Sequence, residues 1–157
     1  MKIRIYSDGD IESLVAVFTS SVHELSAHHY DAAQREAWAP IPPDLDAWRR
    51  RLESLHTIVA EDEGSYLGFL SYENDGHIAL LYTAPDAARR GVATALLGKA
   101  VRQLSANEVT ELYTEAGLTA VPFFLRHGFE VTAEQTVTRR GVRFRRFAMR
   151  RPIDPAP

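Results

Sequence analysis

Two arginines and a glycine, Arg89-Arg90-Gly91, stand directly before Val92-Ala93-Thr94, where a helical pattern begins. A helix N-terminus carries unpaired backbone N–H groups and the positive end of the peptide macrodipole. It therefore holds phosphate, and nearby arginines add charge. A glycine at position 91 lets a pyrophosphate approach the backbone with no Cβ in the way. Arg89, Arg90, Gly91, Val92, Ala93 and Thr94 are the candidate anion-binding residues. An arginine pair beside a glycine is also common on surfaces, so the surrounding elements must decide its meaning.

Proton-transfer chemistry has three candidates, His77 and the carboxylates Glu73 and Glu115. Histidine changes charge near neutrality and suits removal of a proton from an amine. The plain alternative is that Asp75-Gly76-His77 is a turn followed by a half-exposed strand residue, and that Glu73 is a solvated turn residue. No cysteine is present, which excludes disulfides, thiolate metal sites and cysteine nucleophiles. The adjacent His28 and His29 lack helical ligand spacing, so no metal is expected.

The elements that must position these residues follow from periodicity. Ile3 and Ile5 alternate as a strand, and Ile11, Leu14, Val15, Phe18, Val22 and Leu25 form one helical stripe. After the Pro-rich Ala37–Pro43 segment, Asp44 caps a second helix through Trp48, Leu52 and Leu55. Residues 57–60, 66–72 and 77–83 read as three antiparallel strands, with turn chemistry at Glu63-Gly64 and Asn74-Asp75-Gly76. Val92, Leu96, Leu97, Ala100, Val101 and Leu104 give the clearest helix. A strand over 109–114, a short helix over 119–127 and a hairpin of 129–137 with 142–149 complete the chain. The predicted fold is mixed α/β, a mostly antiparallel central sheet flanked by helices.

At 157 residues the chain suits one domain, predicted over 1–152 with a flexible tail at 153–157. The 18 Lys and Arg against 21 Asp and Glu leave a formal net charge of -3, which gives no global reason to bind nucleic acid or an anionic membrane. The polar Ser7-Asp8-Gly9-Asp10 soon after the start, and the lack of any 18-residue apolar run, point to the cytoplasm.

The 88–93 run resembles the acetyl-CoA loop of the GNAT superfamily, Gln/Arg-x-x-Gly-x-Gly/Ala, with Ala88 in place of the leading Gln or Arg. Leu81-Tyr82-Thr83-Ala84-Pro85 looks like the family's bulged fourth strand. The 120–129 segment looks like its second cofactor motif. His29-Tyr30-Asp31, Gln34 and Ala37-Trp38-Ala39 are similar to the YafP-like branch of bacterial acetyltransferases.

The resemblance implies acetyl-CoA as co-substrate and acetyl transfer to a primary amine, on a small molecule or peptide, by direct attack. It implies that Leu81, Tyr82 and Thr83 lie along the pantetheine, with backbone groups of Leu81 and Thr83 meeting its amides. His77 falls where some members place a glutamate base, and Glu115 lies where the family's cleft opens. Phe124 occupies the position of a tyrosine that relatives use to protonate the thiolate, which leaves solvent or Tyr82 as the donor. His28, Tyr30 and Trp38 fall in a region that walls the acceptor site.

Ala88 and Phe124 also fit a second reading, an acetyl-CoA-binding sensor with little catalysis. The partners expected are acetyl-CoA and an amine, with neither nucleic acid nor membrane, and a homodimer as the candidate assembly. Arg139, Arg140, Arg143, Arg145, Arg146, Arg150 and Arg151 form the one basic concentration, which could attract an acidic acceptor or nucleic acid, or serve as a charged edge that discourages strand pairing.

Overall fold

The computed structural model describes residues 1–155. Among them, the elements follow as β1 (Lys2–Ile5), α1 (Ile11–Ser20), α2 (Ala32–Trp38), α3 (Leu45–Glu53), β2 (His56–Asp62), β3 (Ser65–Tyr72), β4 (Ile78–Thr83), α4 (Val92–Ala106), β5 (Glu111–Gly117), α5 (Val121–Arg126), β6 (Glu130–Arg139) and β7 (Val142–Pro152). β7 ends where the domain was expected to end, yet the chain is still held beyond it. The Ile153 N–H donates to the Thr110 carbonyl at 2.9 Å, and the Asp154 carbonyl accepts from the Ser105 hydroxyl at 2.6 Å. Residues 156 and 157 of the expected tail lie outside the described residues.

The strands form two antiparallel sheets, ordered β1-β2-β3-β4 and β5-β7-β6. They meet at a single parallel bridge between His77 and Tyr113, where the Tyr113 N–H donates to the Gly76 carbonyl at 3.1 Å. Gly76 has a φ of +105°, and a Cβ there would collide with the Glu111 carbonyl oxygen. A glycine is therefore needed for the sheets to touch. Past this point β4 and β5 part. The Ile78 carbonyl is served by the buried Thr114 hydroxyl at 2.8 Å, in place of a backbone neighbour.

Alternation along the strands feeds two cores, one on each face. On one side Leu70, Ile78 and Leu112 pack with Leu96, Leu97 and Leu104 of α4, all 1% exposed or less. On the other, Val59, Phe69 and Leu80 pack with Leu14 and Phe18 of α1 and Leu52 of α3. α1 is anchored by Asp10, which accepts from Arg4 through both oxygens at 2.8 Å, from the Tyr66 hydroxyl at 2.7 Å and from the Ser7 N–H at 2.9 Å. The Arg4 guanidinium, helped by these donors, holds the Asp10 carboxyl well below the usual carboxylate range.

The hydrophobic pattern misses one helix, α2. Its seven residues are too short for a clear stripe, but Asp31 and Gln34 form a reciprocal capping box that the Asp-x-x-Gln spacing could have revealed. The α1 stripe does continue to Leu25, with its last turn widened into a π-helical turn over Ser21–Leu25. β5 runs two residues later than expected. Glu108 takes a positive φ and Val109 N–H still bonds back to Leu104, so the strand starts at Glu111 and includes Glu115 within it.

Candidate active site

β4 carries an extra residue. Ser71 pairs with Leu80 and Tyr72 with Ile78, so Ala79 is bulged out of register. In a regular strand His77 and Tyr82, five residues apart, would face opposite sides. The bulge turns both onto the same face, where both line one cavity. The bulge thus sits at Ala79, earlier than the 81–85 stretch the resemblance suggested.

His77 lies between two carboxylates. Its Nδ1 is 2.6 Å from Glu73 Oε1 and its Nε2 is 2.8 Å from Glu115 Oε1. The ring stacks on Tyr113 at 4.7 Å, and the Tyr113 hydroxyl donates to Asp75, whose carboxylate pushes that phenol up to about 12. The imidazole is thereby fixed in plane and direction. Glu115 lines the cavity, whereas Glu73 lies half-exposed on the far side. The three residues that compete as bases in the sequence are one hydrogen-bonded chain from cavity to solvent.

The other edge of β4 is open. The Ala84 N–H bonds to the Leu67 carbonyl, and Tyr82 and Leu80 pair in step with it along β3. By antiparallel alternation, the N–H and C=O groups of Leu81 and Thr83 point away from β3, toward the gap before β5. Next comes a single 3-10 turn, Pro85–Ala87, then Arg89 and Gly91 with φ of +62° and +81°. Among the described residues, no backbone N–H from Arg89 to Thr94 donates a hydrogen bond within the protein, and the first helical bond runs from Ala95 to Gly91. The amides of Arg89, Arg90, Gly91, Val92, Ala93 and Thr94 are thus free to hold an anion.

The Thr94 hydroxyl bonds to His127 Nε2 at 3.0 Å, and His127 Nδ1 to the Phe123 carbonyl at 2.8 Å, which ties α4 to α5. Phe124 is 3% exposed and packs edge-on against Phe123 and Phe129. It packs into the core, as paired aromatics on a short helix do.

The cavity lined by His77, Glu115 and Tyr82 measures about 320 Å³. Phe18, Tyr30, Trp38, Trp48, Tyr82 and Phe144 contribute aromatic wall, with Trp38 at 5.3 Å from Tyr30 and 6.4 Å from Tyr82 in edge-on contacts. The Tyr30 hydroxyl accepts from the Leu118 N–H at 2.8 Å, and Gly117 leaves room for it, since a Cβ there would lie 2.9 Å from that oxygen. Burial pushes the Tyr82 phenol up to about 12. His28 does not reach the cavity. It lies exposed in the turn between α1 and α2, and of the three predicted acceptor contacts only Tyr30 and Trp38 are brought together.

A family model for the GNAT acetyltransferase domain matches residues 25–151. An N-acetyltransferase of Escherichia coli K12, YafP, is 37% identical over 150 residues, covering 96% of this chain and 95% of that protein. This chain belongs to the GNAT acetyltransferase family. A crystal structure of a GNAT protein from Rhodopseudomonas palustris superposes with a TM-score of 0.93 at 29% identity, over 97% of this chain and 95% of its own. A Thermoplasma acidophilum acetyltransferase solved with coenzyme A shares the fold at a TM-score of 0.75 and 20% identity, over 98% and 100% of the two chains. The GNAT protein described here is an acetyltransferase. No helix of the described residues is long and apolar enough to cross a membrane.

Four hairpin arginines, Arg139, Arg140, Arg145 and Arg146, open in the sequence between an attractor of acidic ligands and a charged edge, line this GNAT cavity, and Arg51 joins them unforeseen. Phe144 was also missed. Alternation along β7 is the one available signal, since Phe144 is the buried residue between exposed Arg143 and Arg145.

Proposed function

We propose that this chain transfers the acetyl group of acetyl-CoA to a primary amine by direct attack, with the Glu73–His77–Glu115 chain removing the amine's proton. The observation that carries the reading is the place of that chain. Glu115 opens into the cavity just where β4 and β5 separate, next to the free backbone edge of Leu81 and Thr83.

In this reading the pyrophosphate rests on the free amides of 89–94, with Arg89 and Arg90 adding charge. The pantetheine pairs with Leu81 and Thr83 as an added strand would, which sets the thioester carbonyl at the cavity mouth. Glu115 takes the ammonium proton. His77 passes charge toward Glu73, which is in contact with solvent, so the acid produced at each turnover has a way out. The amine nitrogen then attacks the acetyl carbon, a C–N bond forms and the C–S bond breaks. The second proton the nitrogen sheds goes to the leaving thiolate, so one net proton is released per turnover. No acyl-enzyme is needed, and no cysteine exists to form one. Tyr82 is a neutral phenol that donates a hydrogen bond in the cavity, and the proton that it or a water passes to the thiolate is replaced by the one the attacking nitrogen sheds.

Calorimetric titration of acetyl-CoA, followed by thiol release over a panel of amines and peptide N-termini, tests the proposal. Binding with amine-dependent release is expected. Binding with no release for any amine would favour a sensor, and no binding would contradict the cofactor site.

A further inference from the structure

The acceptor cavity holds more positive charge than its carboxylates balance. Its lining includes Arg51, Arg139, Arg140, Arg145 and Arg146 against Asp44 and Glu115. Arg145 is paired with Glu134 at 2.7 Å. The other four have no acidic partner within ion-pair distance among the described residues. Arg140 donates to the Ala37 carbonyl at 2.7 Å and Arg146 to the Gln135 side-chain oxygen at 2.8 Å, both neutral, while Arg51 lies over the Trp48 ring. Among the described residues the Arg139 side chain makes no hydrogen bond to the protein, while its backbone pairs with Val142.

These guanidiniums come from two separate elements, α3 and the β6–β7 hairpin, and converge on one space. Arg139 is exposed at the cavity wall, where partial desolvation lowers its pKa, Tyr82 raises it, and the charges of Arg51, Arg146 and Arg140 lower it. Like charges gathered on one solvent-facing wall repel modestly, and an anion placed among them relieves that repulsion. The cavity does not include the 89–94 loop, so the coenzyme's phosphates have their own site elsewhere. The opposite wall carries the Glu115 carboxylate and the aromatic rings. A ligand that satisfies both walls has an amine at one end, an anion at the other and an apolar body between.

We infer that the acceptor is a small amino acid-like amine whose carboxylate is held by Arg139 and Arg51, with Arg140 and Arg146 in support. This rests on the acetyl-transfer reading of the same cavity and narrows its substrate class. Guanidinium forks match carboxylate geometry, which gives orientation as well as charge. A cavity of about 320 Å³ suits an amino acid or a peptide end. Polyamines and exposed lysine side chains would bring cations to an already cationic wall.

The test has two arms. The first compares kcat/KM for phenylalanine, 4-aminobutyrate and 6-aminohexanoate, each against its own carboxamide, with spermidine alongside. At least one acid is expected to exceed its amide by on the order of tenfold or more, as for a charge-assisted hydrogen bond. Arg139→Gln or Arg51→Gln should shrink that ratio mainly through KM of the acceptor, with KM for acetyl-CoA unchanged. Equal use of every acid and amide, or preference for spermidine, would overturn the inference and leave acetyl transfer standing.

The second arm needs no turnover. Trp38 and Trp48 line the cavity, so 3-phenylpropionate should quench tryptophan fluorescence where 3-phenylpropanamide does not, and Arg139→Gln should abolish the difference. If no amine turns over, the transfer reading fails, and this arm alone decides whether the anion site exists. No difference between the two probes would overturn it.

Discussion

The two halves of the site are built from different materials. On the α4 side, the loop over 85–94 and the free edge of β4 present backbone groups, set by the positive φ of Arg89 and Gly91 and by antiparallel register. On the other side, the cavity is made of side chains from α1, α2, α3, β4, β5 and the β6–β7 hairpin. A backbone-built site tolerates side-chain change, so Ala88 can stand where the family pattern has Gln or Arg. A side-chain-built site is specific to its own residues, and its chemistry belongs to this chain more than to its fold.

Substitutions in the two halves should therefore separate binding from turnover. Glu115→Gln should lower kcat by about 10²–10³, the scale of a lost general base, with the affinity for acetyl-CoA measured by calorimetry unchanged. A fall in that affinity instead would place Glu115 on the cofactor side. Gly91→Val should act the other way. A β-branched residue at a φ of +81° is strained, and the loop must shift, so affinity for acetyl-CoA should drop by about tenfold or more while the acceptor KM holds.

Asp10→Asn tests a part outside both halves. It should cost roughly 2–3 kcal/mol of stability at neutral pH, since a carboxylate accepting four hydrogen bonds loses its charge. Because the folded-state pKa of Asp10 is depressed, its contribution is complete above the unfolded carboxylate range and is lost as pH falls below about 4. The gap in Tm between wild type and variant should narrow from pH 7 to pH 3. A gap independent of pH would show that packing, and not charge, sets the cost. The smallest effect belongs to Tyr82→Phe. A phenol pushed up to about 12 is a weak acid, so kcat should fall by less than about tenfold. A larger fall would make Tyr82 the main proton donor to the thiolate.

The same division decides what could be read from the sequence. Apart from α2, the strand–helix order, the α4 stripe and the turns at Glu63-Gly64 and Arg140-Gly141 were legible because each rests on local pattern, and both turns do take positive φ. The free amides before α4 follow from one glycine and the helix behind it. The Glu73–His77–Glu115 chain was visible only as three rivals, because Glu115 joins through a bridge between sheets that no spacing records. The arginine wall was left undecided for the same reason. Arg139 and Arg51 are 88 positions apart, and an edge strand rich in arginine looks alike whether it faces solvent or closes a cavity.

Direct transfer to an amine is the central claim, and rapid mixing tests it most directly. Enzyme at a concentration close to that of acetyl-CoA is mixed first without acceptor and then with a competent amine, and free thiol is followed in both. Direct attack predicts no thiol before the amine and one thiol per N-acetyl product after it. A stoichiometric burst of thiol without amine would reveal an acetyl-enzyme and contradict the account.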